Sequence, residues 1–426
     1  MIKEKLNQIF HNDFIFFRLG IFFIPSAIAL ACFFIIISLI SQTIKKRDKF
    51  LKDRMNITLI FISLLMIISC IIQNLFNKYN TDYEIENYLT WVGLFNWIPF
   101  FWVFWSSQAF FKTKNDREII SLILIFSTIP VIISGILQYY FNLVGPFEFL
   151  NGLIIWYQRP IDEISGLTGL FNHANYAGAW LTIVLPLCLS QSFNNSKKFL
   201  KKNVFKTILV GIVLCIILTN SRNAWGSAIL TLPLVFGISS IRWFLPLMIS
   251  ISTFILVVTN NVFKGSIQEF LRNNIPDKIW LEFTDLGFSG LNVTRLEILN
   301  SAFRVIINNP FFGTGAASFP IIYEFETGFW KGHSHNLFTE ISISYGLPST
   351  VILITFLGTI LFTSFKNLFR KKENNVKDRA FFVAILVFLV SQLVDIQYFD
   401  GRISLLFWLL LAGLKSINDE NKLIKV

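Results

Sequence analysis

Ile57-Thr58-Leu59-Ile60-Phe61-Ile62-Ser63-Leu64-Leu65-Met66-Ile67-Ile68-Ser69-Cys70-Ile71-Ile72-Gln73-Asn74-Leu75-Phe76 carries no charge along its whole length. Coiled as a helix rising 1.5 Å per residue, it reaches about 30 Å, the thickness of a bilayer's hydrocarbon core. Comparable runs recur along the chain. They predict eleven spans, at 20–42, 57–76, 90–111, 118–141, 170–192, 207–220, 223–240, 243–259, 337–362, 380–398 and 403–416. Phe14-Ile15-Phe16-Phe17, just ahead of the first, supplies a partial twelfth. Composition agrees: 54% of the 426 residues are hydrophobic, 15% are charged and 48 are Phe, with mean hydropathy +0.60. A soluble domain could not hide that much apolar surface, whereas a bilayer requires it outside. The expected fold is all-α, a polytopic membrane helical bundle of about 11–12 spans. Three regions follow: a membrane bundle over 1–259, an extracytoplasmic loop with a surface helix over 260–336, and the last spans over 337–426.

Lys and Arg orient the bundle, because basic residues gather in cytoplasmic loops. The loops around Lys45–Arg54, Lys112–Arg117, Lys197–Lys206, Arg242 and Lys366–Arg379, with the tail from Lys415, hold 24 of the 37 basic residues. All fall on one side of the alternation, which is read as the cytoplasm. The net charge of +11 is therefore a topology signal, and nothing points to nucleic acid as a partner. Lys3 and Lys5 land on the opposite side in this count, a mild offence against the rule. Cys32, Cys70, Cys188 and Cys215 all lie within predicted spans, where they read as small apolar residues without disulfides, and their spacing matches no metal site.

Four polar clusters interrupt the apolar background, all on the outer face. They are Gly166–Asn175, with Asn172, His173 and Asn175; Thr219–Trp225, with Ser221 and Arg222; Thr294–Glu297, with Arg295; and Gly332-His333-Ser334-His335-Asn336-Leu337, which holds two of only four histidines. Each looks like a helix start. Ser221 is a plausible N-cap, Thr294 and Glu297 have capping-box spacing, and Ser334 or Asn336 suits the ninth span. After Arg295, Leu296, Leu299, Phe303 and Ile306 form an apolar stripe, and Asn309-Pro310 ends the helix.

Helix N-termini present free amides and partial positive charge, so they bind anions. The planar guanidiniums of Arg222 and Arg295 suit phosphate oxygens. Histidine, with an ordinary pKa of about 6.5, is the side chain best matched to proton transfer near neutrality. Two guanidiniums, helix starts and His335 beside lipid together point to a phosphorylated lipid. Plainer readings stand beside this one: either Arg equally suits a loop-structure role or a reach to headgroups. His173, with Asn172 and Asn175, reads as a structural knot, and His333 and His11 read as bystanders. Asn309–Gly315 reads as a tight turn, although Gly313 and Gly315 would also let backbone approach a pyrophosphate. Asp395 and Asp400, near Arg402, are either functional ionisable residues or a self-satisfied pair.

In order, Gly169–Ala177, Thr219–Trp225, Arg295 followed by Asn309–Gly315, and His335-Asn336-Leu337 with Glu340, Gly346 and Leu347 resemble the O-antigen ligase and lipid-linked glycan polymerase family. The resemblance spans roughly 169–350. Ala174 departs from a frequent Pro, and His333 is extra. It implies an integral membrane glycosyltransferase of surface polysaccharide or lipopolysaccharide biosynthesis, acting without metal or cofactor. Such an enzyme moves a glycan from undecaprenyl diphosphate to an acceptor hydroxyl on a glycan or glycolipid, at the outer side of the cytoplasmic membrane. Arg222, Arg295 and His335 match the family's functional positions, with Asn336, Ser221, His173, Asn175, Gly313 and Gly315 around the substrate. No paired acidic nucleophile is evident, so a single inverting displacement is implied. The alternative from another class is a transporter of a small anion such as bicarbonate, which would want polar residues at mid-span. A scaffold without chemistry would leave the Arg–His set dispensable.

Overall fold

The computed structural model describes residues 12–76, 87–161, 166–193, 199–237, 240–259, 265–274, 295–369 and 376–423. The chain is a helical membrane bundle, as its apolar runs predict. Four segments are long and apolar enough on their own to cross a bilayer: Ile28–Lys46, Arg54–Leu75, Lys114–Phe141 and Leu337–Phe369. Further helices occupy the remaining predicted spans. The centre is built from α8 (Ala174–Ser192), α16 (Val376–Ser391) and α17 (Gly401–Leu423), with Trp180, Phe381, Phe388, Phe407 and Trp408 all buried. These helices bury apolar residues all round because neighbouring helices, in place of lipid, surround them.

Several span boundaries differ from expectation. The first predicted span is two helices, α1 (Asp13–Phe23) and α2 (Ile28–Lys46). Pro25, lacking an amide hydrogen, falls in the turn between them. The pair is antiparallel: the Asp13 carboxylate accepts from Ser41 at 3.1 Å and Gln42 at 2.6 Å, and meets Lys45 at 2.8 Å. Asp13 thus stands at the end of the bundle that carries the basic loops. Lys3 and Lys5, expected on the opposite side, lie outside the described residues. The third span is broken into α4 (Asn87–Gly93) and α5 (Ile98–Ser107), and the fourth into α6 (Lys114–Ser127) and α7 (Ile129–Phe141), with Pro99 and Pro130 each in the first turn of the following helix. The loop expected at 142–168 holds a small antiparallel hairpin, β1 (Phe147–Phe149) with β2 (Ile154–Trp156).

The segment 260–336 is partly helical where it is described. It contains α12 (Ser266–Asn274), α13 (Arg295–Asn308) and α14 (Ser318–Thr327). As expected, α13 starts at Arg295 and stops before Asn309-Pro310; Thr294 of the capping box lies outside the described residues. Its buried face is different, however. Ile298, Ala302, Val305 and Ile306 pack with Phe319, Ile322 and Tyr323 of α14 and Ile343 of α15 (Leu337–Phe369). Leu296, Phe303 and Ile307 are exposed. The helix is apolar on two faces, and the predicted stripe mixes the lipid-ward face with the packed one.

Candidate functional site

The first two polar clusters are joined by backbone contacts. Leu167 donates its amide to Leu218 O at 2.9 Å, and a Cβ at Gly166 would collide with Thr219, so the first cluster lies along the second. Gln138 of α7 holds the first from below, accepting from Thr168 N at 3.0 Å and Gly169 N at 2.8 Å. Asn309–Gly315 locks onto the ninth span in the same way. Leu347 N donates to Pro310 O at 2.8 Å and Thr314 N to Ile343 O at 2.6 Å. Gly346, at φ 82° and ψ 165°, breaks the helical path of α15 where a Cβ would strike the Phe311 carbonyl. Gly313 (φ 65°) likewise packs its backbone against Ile343, and Gly315 faces Thr90 and Gln73. Packing therefore accounts for the glycines of this motif, and their close neighbours are bundle residues.

Three helix starts converge on the loop 391–400 that follows α16. His173 caps α8, its Nδ1 accepting the Asn175 amide at 3.1 Å. Ser221 caps α10 (Arg222–Phe236) by accepting from Ala224 N at 3.4 Å. Asn336 caps α15, its Oδ1 accepting from Phe338 N at 2.9 Å and Thr339 N at 3.2 Å, while Glu340 accepts from Ser334 N at 2.9 Å. Each cap also reaches that loop or stands beside a residue that does. Asn336 Nδ2 donates to Leu393 O at 3.2 Å, Asn223 Nδ2 to Ser391 O at 3.1 Å, and Asn175 Nδ2 to Asp395 Oδ2 at 2.7 Å. The capping residues thus build the frame.

At the focus His335 Nδ1 lies 2.9 Å from Asp395 Oδ1. His335 adopts φ 55°, a left-handed backbone uncommon outside glycine, of the kind that clusters at functional sites. Asp395 Oδ2 takes two more hydrogen bonds, from Asn175 and from Gln397 Nε2 at 3.1 Å. Gln397 is itself held by Gln392, whose Nε2 donates to Gln397 Oε1 at 2.7 Å and whose Oε1 accepts the Gln397 amide at 3.0 Å. Burial pushes the Asp395 pKa up, but the His335 hydrogen bond and the neighbouring basic groups His333, His335 and Arg295 outweigh it and hold it at about 2. Asp395 is therefore a carboxylate, and it orients His335 by accepting from Nδ1. This leaves Nε2 as the lone-pair nitrogen, the arrangement a general base needs.

His333 stands alongside, with ring centroids 4.4 Å apart and its Nδ1 accepting the His335 amide at 3.1 Å. Burial, reinforced by the neighbouring basic groups His335, Arg295 and His173, pushes its pKa down to about 4 against the pull of Asp395, so it is neutral. Arg295 and His173 both act electrostatically on it, which places them at the same end of the bundle. Arg295 is exposed and forms no ion pair with a described residue. Arg222, in the first turn of α10, adjoins Asn223, which is bonded to the 391–400 loop. His333 Nε2, His335 Nδ1 and Asp395 Oδ1 lie within 4.8 Å of one another, a set able to take a metal ion that the sequence did not reveal.

Residues 207–354 match the family model of O-antigen ligase. That segment is similar to O-antigen ligases. The match takes in Arg222, Arg295 and His335 together. Among curated proteins no match is found. Two residues bonded to these clusters were not assigned these partners from the sequence. Asp395 was weighed as a partner of Arg402, but Arg402 is claimed by Asp400 at 2.7 Å, by Leu170 O at 3.0 Å and by the Phe171 ring. Arg159, in the loop after β2, donates to Asn172 Oδ1 from Nε at 2.9 Å. The one available signal was an acid with amide-bearing neighbours, Gln392 and Gln397, inside an otherwise apolar run.

Proposed function

We propose that this chain transfers a glycan from a polyprenyl (undecaprenyl) diphosphate to an acceptor hydroxyl at the outer face of the cytoplasmic membrane, as a ligase or polymerase of surface polysaccharide. The His335–Asp395 pair carries the reading. With Nδ1 engaged by the carboxylate, Nε2 takes the proton of the acceptor hydroxyl as its oxygen bonds to the anomeric carbon. The bond from that carbon to the diphosphate breaks, its electron pair leaves with the diphosphate, and configuration inverts. The growing negative charge is met by Arg222, by Arg295 and by the positive ends of the α10 and α15 dipoles, in place of a metal ion.

The test is transfer by purified protein in lipid vesicles supplied with polyprenyl-diphosphate glycan and acceptor. Arg222→Ala and His335→Ala should each fall to background, with membrane insertion and thermal unfolding unchanged. Full transfer by either variant would overturn the assignment.

A further inference from the structure

His333 has no part in the transfer chemistry, yet its free edge faces the same carboxylate oxygen as His335. His333 Nε2 lies 3.9 Å and His335 Nδ1 2.9 Å from Asp395 Oδ1. In a tetrahedral site with metal–nitrogen and metal–oxygen bonds of about 2.0–2.1 Å, neighbouring ligand atoms stand about 3.3 Å apart. Of the two edges to Asp395, one must open and the other close by about half an ångström, and the third, between the two ring nitrogens, is no longer than 4.8 Å. The carboxylate is already supported as a ligand should be: Asn175 and Gln397 hold Oδ2 and leave Oδ1 turned to the two rings. Both rings are about a quarter exposed, and His333 borders a cavity of about 240 Å³ that it shares with Asn96, Glu340 and Tyr345. An ion and its water therefore have both a path and a place.

We propose that His333, His335 and Asp395 form a binding site for a zinc-class transition-metal ion that switches transfer off. Imidazole and carboxylate donors suit such ions over magnesium or calcium, which prefer all-oxygen shells. The inhibition follows from proton placement and rests on His335 acting as the base. An ion on Nδ1 displaces the proton shared with Asp395, and the neutral ring then carries its single proton on Nε2. That nitrogen can no longer accept from the acceptor hydroxyl. His333 moves its own proton from Nε2 to Nδ1, giving up the bond from the His335 amide. Charge on both rings is conserved, and the switch reverses when the ion leaves.

The experiment uses the full chain purified without a polyhistidine tag and reconstituted in lipid. Cobalt(II) is titrated and followed by its visible absorption, zinc(II) is added as competitor, and transfer is measured with and without zinc and a chelator. His333→Asn is the diagnostic variant: its side-chain oxygen can replace Nδ1 in accepting the His335 amide, while the Nε2 ligand is lost. The wild type should bind one cobalt, give it up to zinc, and lose transfer at least tenfold with zinc, restored by chelator. His333→Asn should bind cobalt at least tenfold more weakly and keep both its basal transfer and its activity in zinc. Absence of a cobalt spectrum in the wild type, or equal zinc inhibition of His333→Asn, overturns the proposal. Should His335→Ala retain transfer, the catalytic reading fails instead, whereas the cobalt titration still decides the site.

Discussion

The two ends of the bundle use the same residue types to opposite purposes. At the end with the basic loops, charges close on one another. Arg117, only 1% exposed, meets Asp378 at 3.0 Å and Glu420 at 2.6 Å. Lys377 meets Glu118 at 2.7 Å, and Lys415 meets Asp419 at 2.5 Å and Asp53 at 3.2 Å. At the other end the buried acid Asp395 is held by two neutral amides and one histidine. Arg295 forms no ion pair with a described residue. Full pairing fixes helices against each other, whereas partial pairing keeps a nitrogen or a guanidinium available to a ligand. The Asp400–Arg402 pair is an internal control, since it sits at the second end yet pairs in the manner of the first.

The sharpest way to break this contrast is Asp395→Asn. The substitution keeps shape, but an amide facing Nδ1 donates to it and drives the ring proton to Nε2. Transfer should fall about 10²–10⁴-fold, with thermal unfolding shifted little. Equal activity in the variant would reduce Asp395 to a structural residue. Next in size is Arg117→Ala, which strands two carboxylates, one of them buried, and should destabilise the protein by about 3–5 kcal/mol. Measured per folded molecule, its transfer rate should match wild type; a selective rate loss would blur the two ends. Smallest is Asn175→Ala, which removes one of three donors to Asp395. A hydrogen bond to a charged group contributes about 1.5–3 kcal/mol, of which part is regained from water at this half-buried position. A loss of about tenfold in transfer, with donor binding intact, is the expected reading.

The fold was legible because apolar length is a local property: Ile57–Phe76 says membrane helix by itself. The breaks were less so. Pro25, Pro99 and Pro130 each mark a joint, but a proline inside an apolar run leaves hydropathy unchanged, so the first, third and fourth spans read as continuous. The tenth was drawn seven residues long because Val394 and Ile396 surround Asp395 with apolar neighbours, although the helix ends at Ser391. The site was half legible. His173, Ser221, Arg295 and His335 announce themselves as helix starts, since capping chemistry is confined to a few adjacent positions. The partnership of His335 with Asp395 crosses 60 positions and no local pattern encodes it. For α13 the difficulty was the reverse, an excess of signal, because two apolar faces share one helix and only packing on α14 and α15 chooses between them.

The claim on which all of this turns is that the carboxylate of Asp395 holds the His335 proton on Nδ1 and bares Nε2. With only four histidines in the chain, nitrogen-15 labelling of histidine in reconstituted protein resolves it, with His335→Gln used to assign the signal. The neutral His335 ring should show a protonated, hydrogen-bonded Nδ1 and an unprotonated Nε2, and Asp395→Asn should reverse the two. A proton found on Nε2 in the wild type would contradict the account.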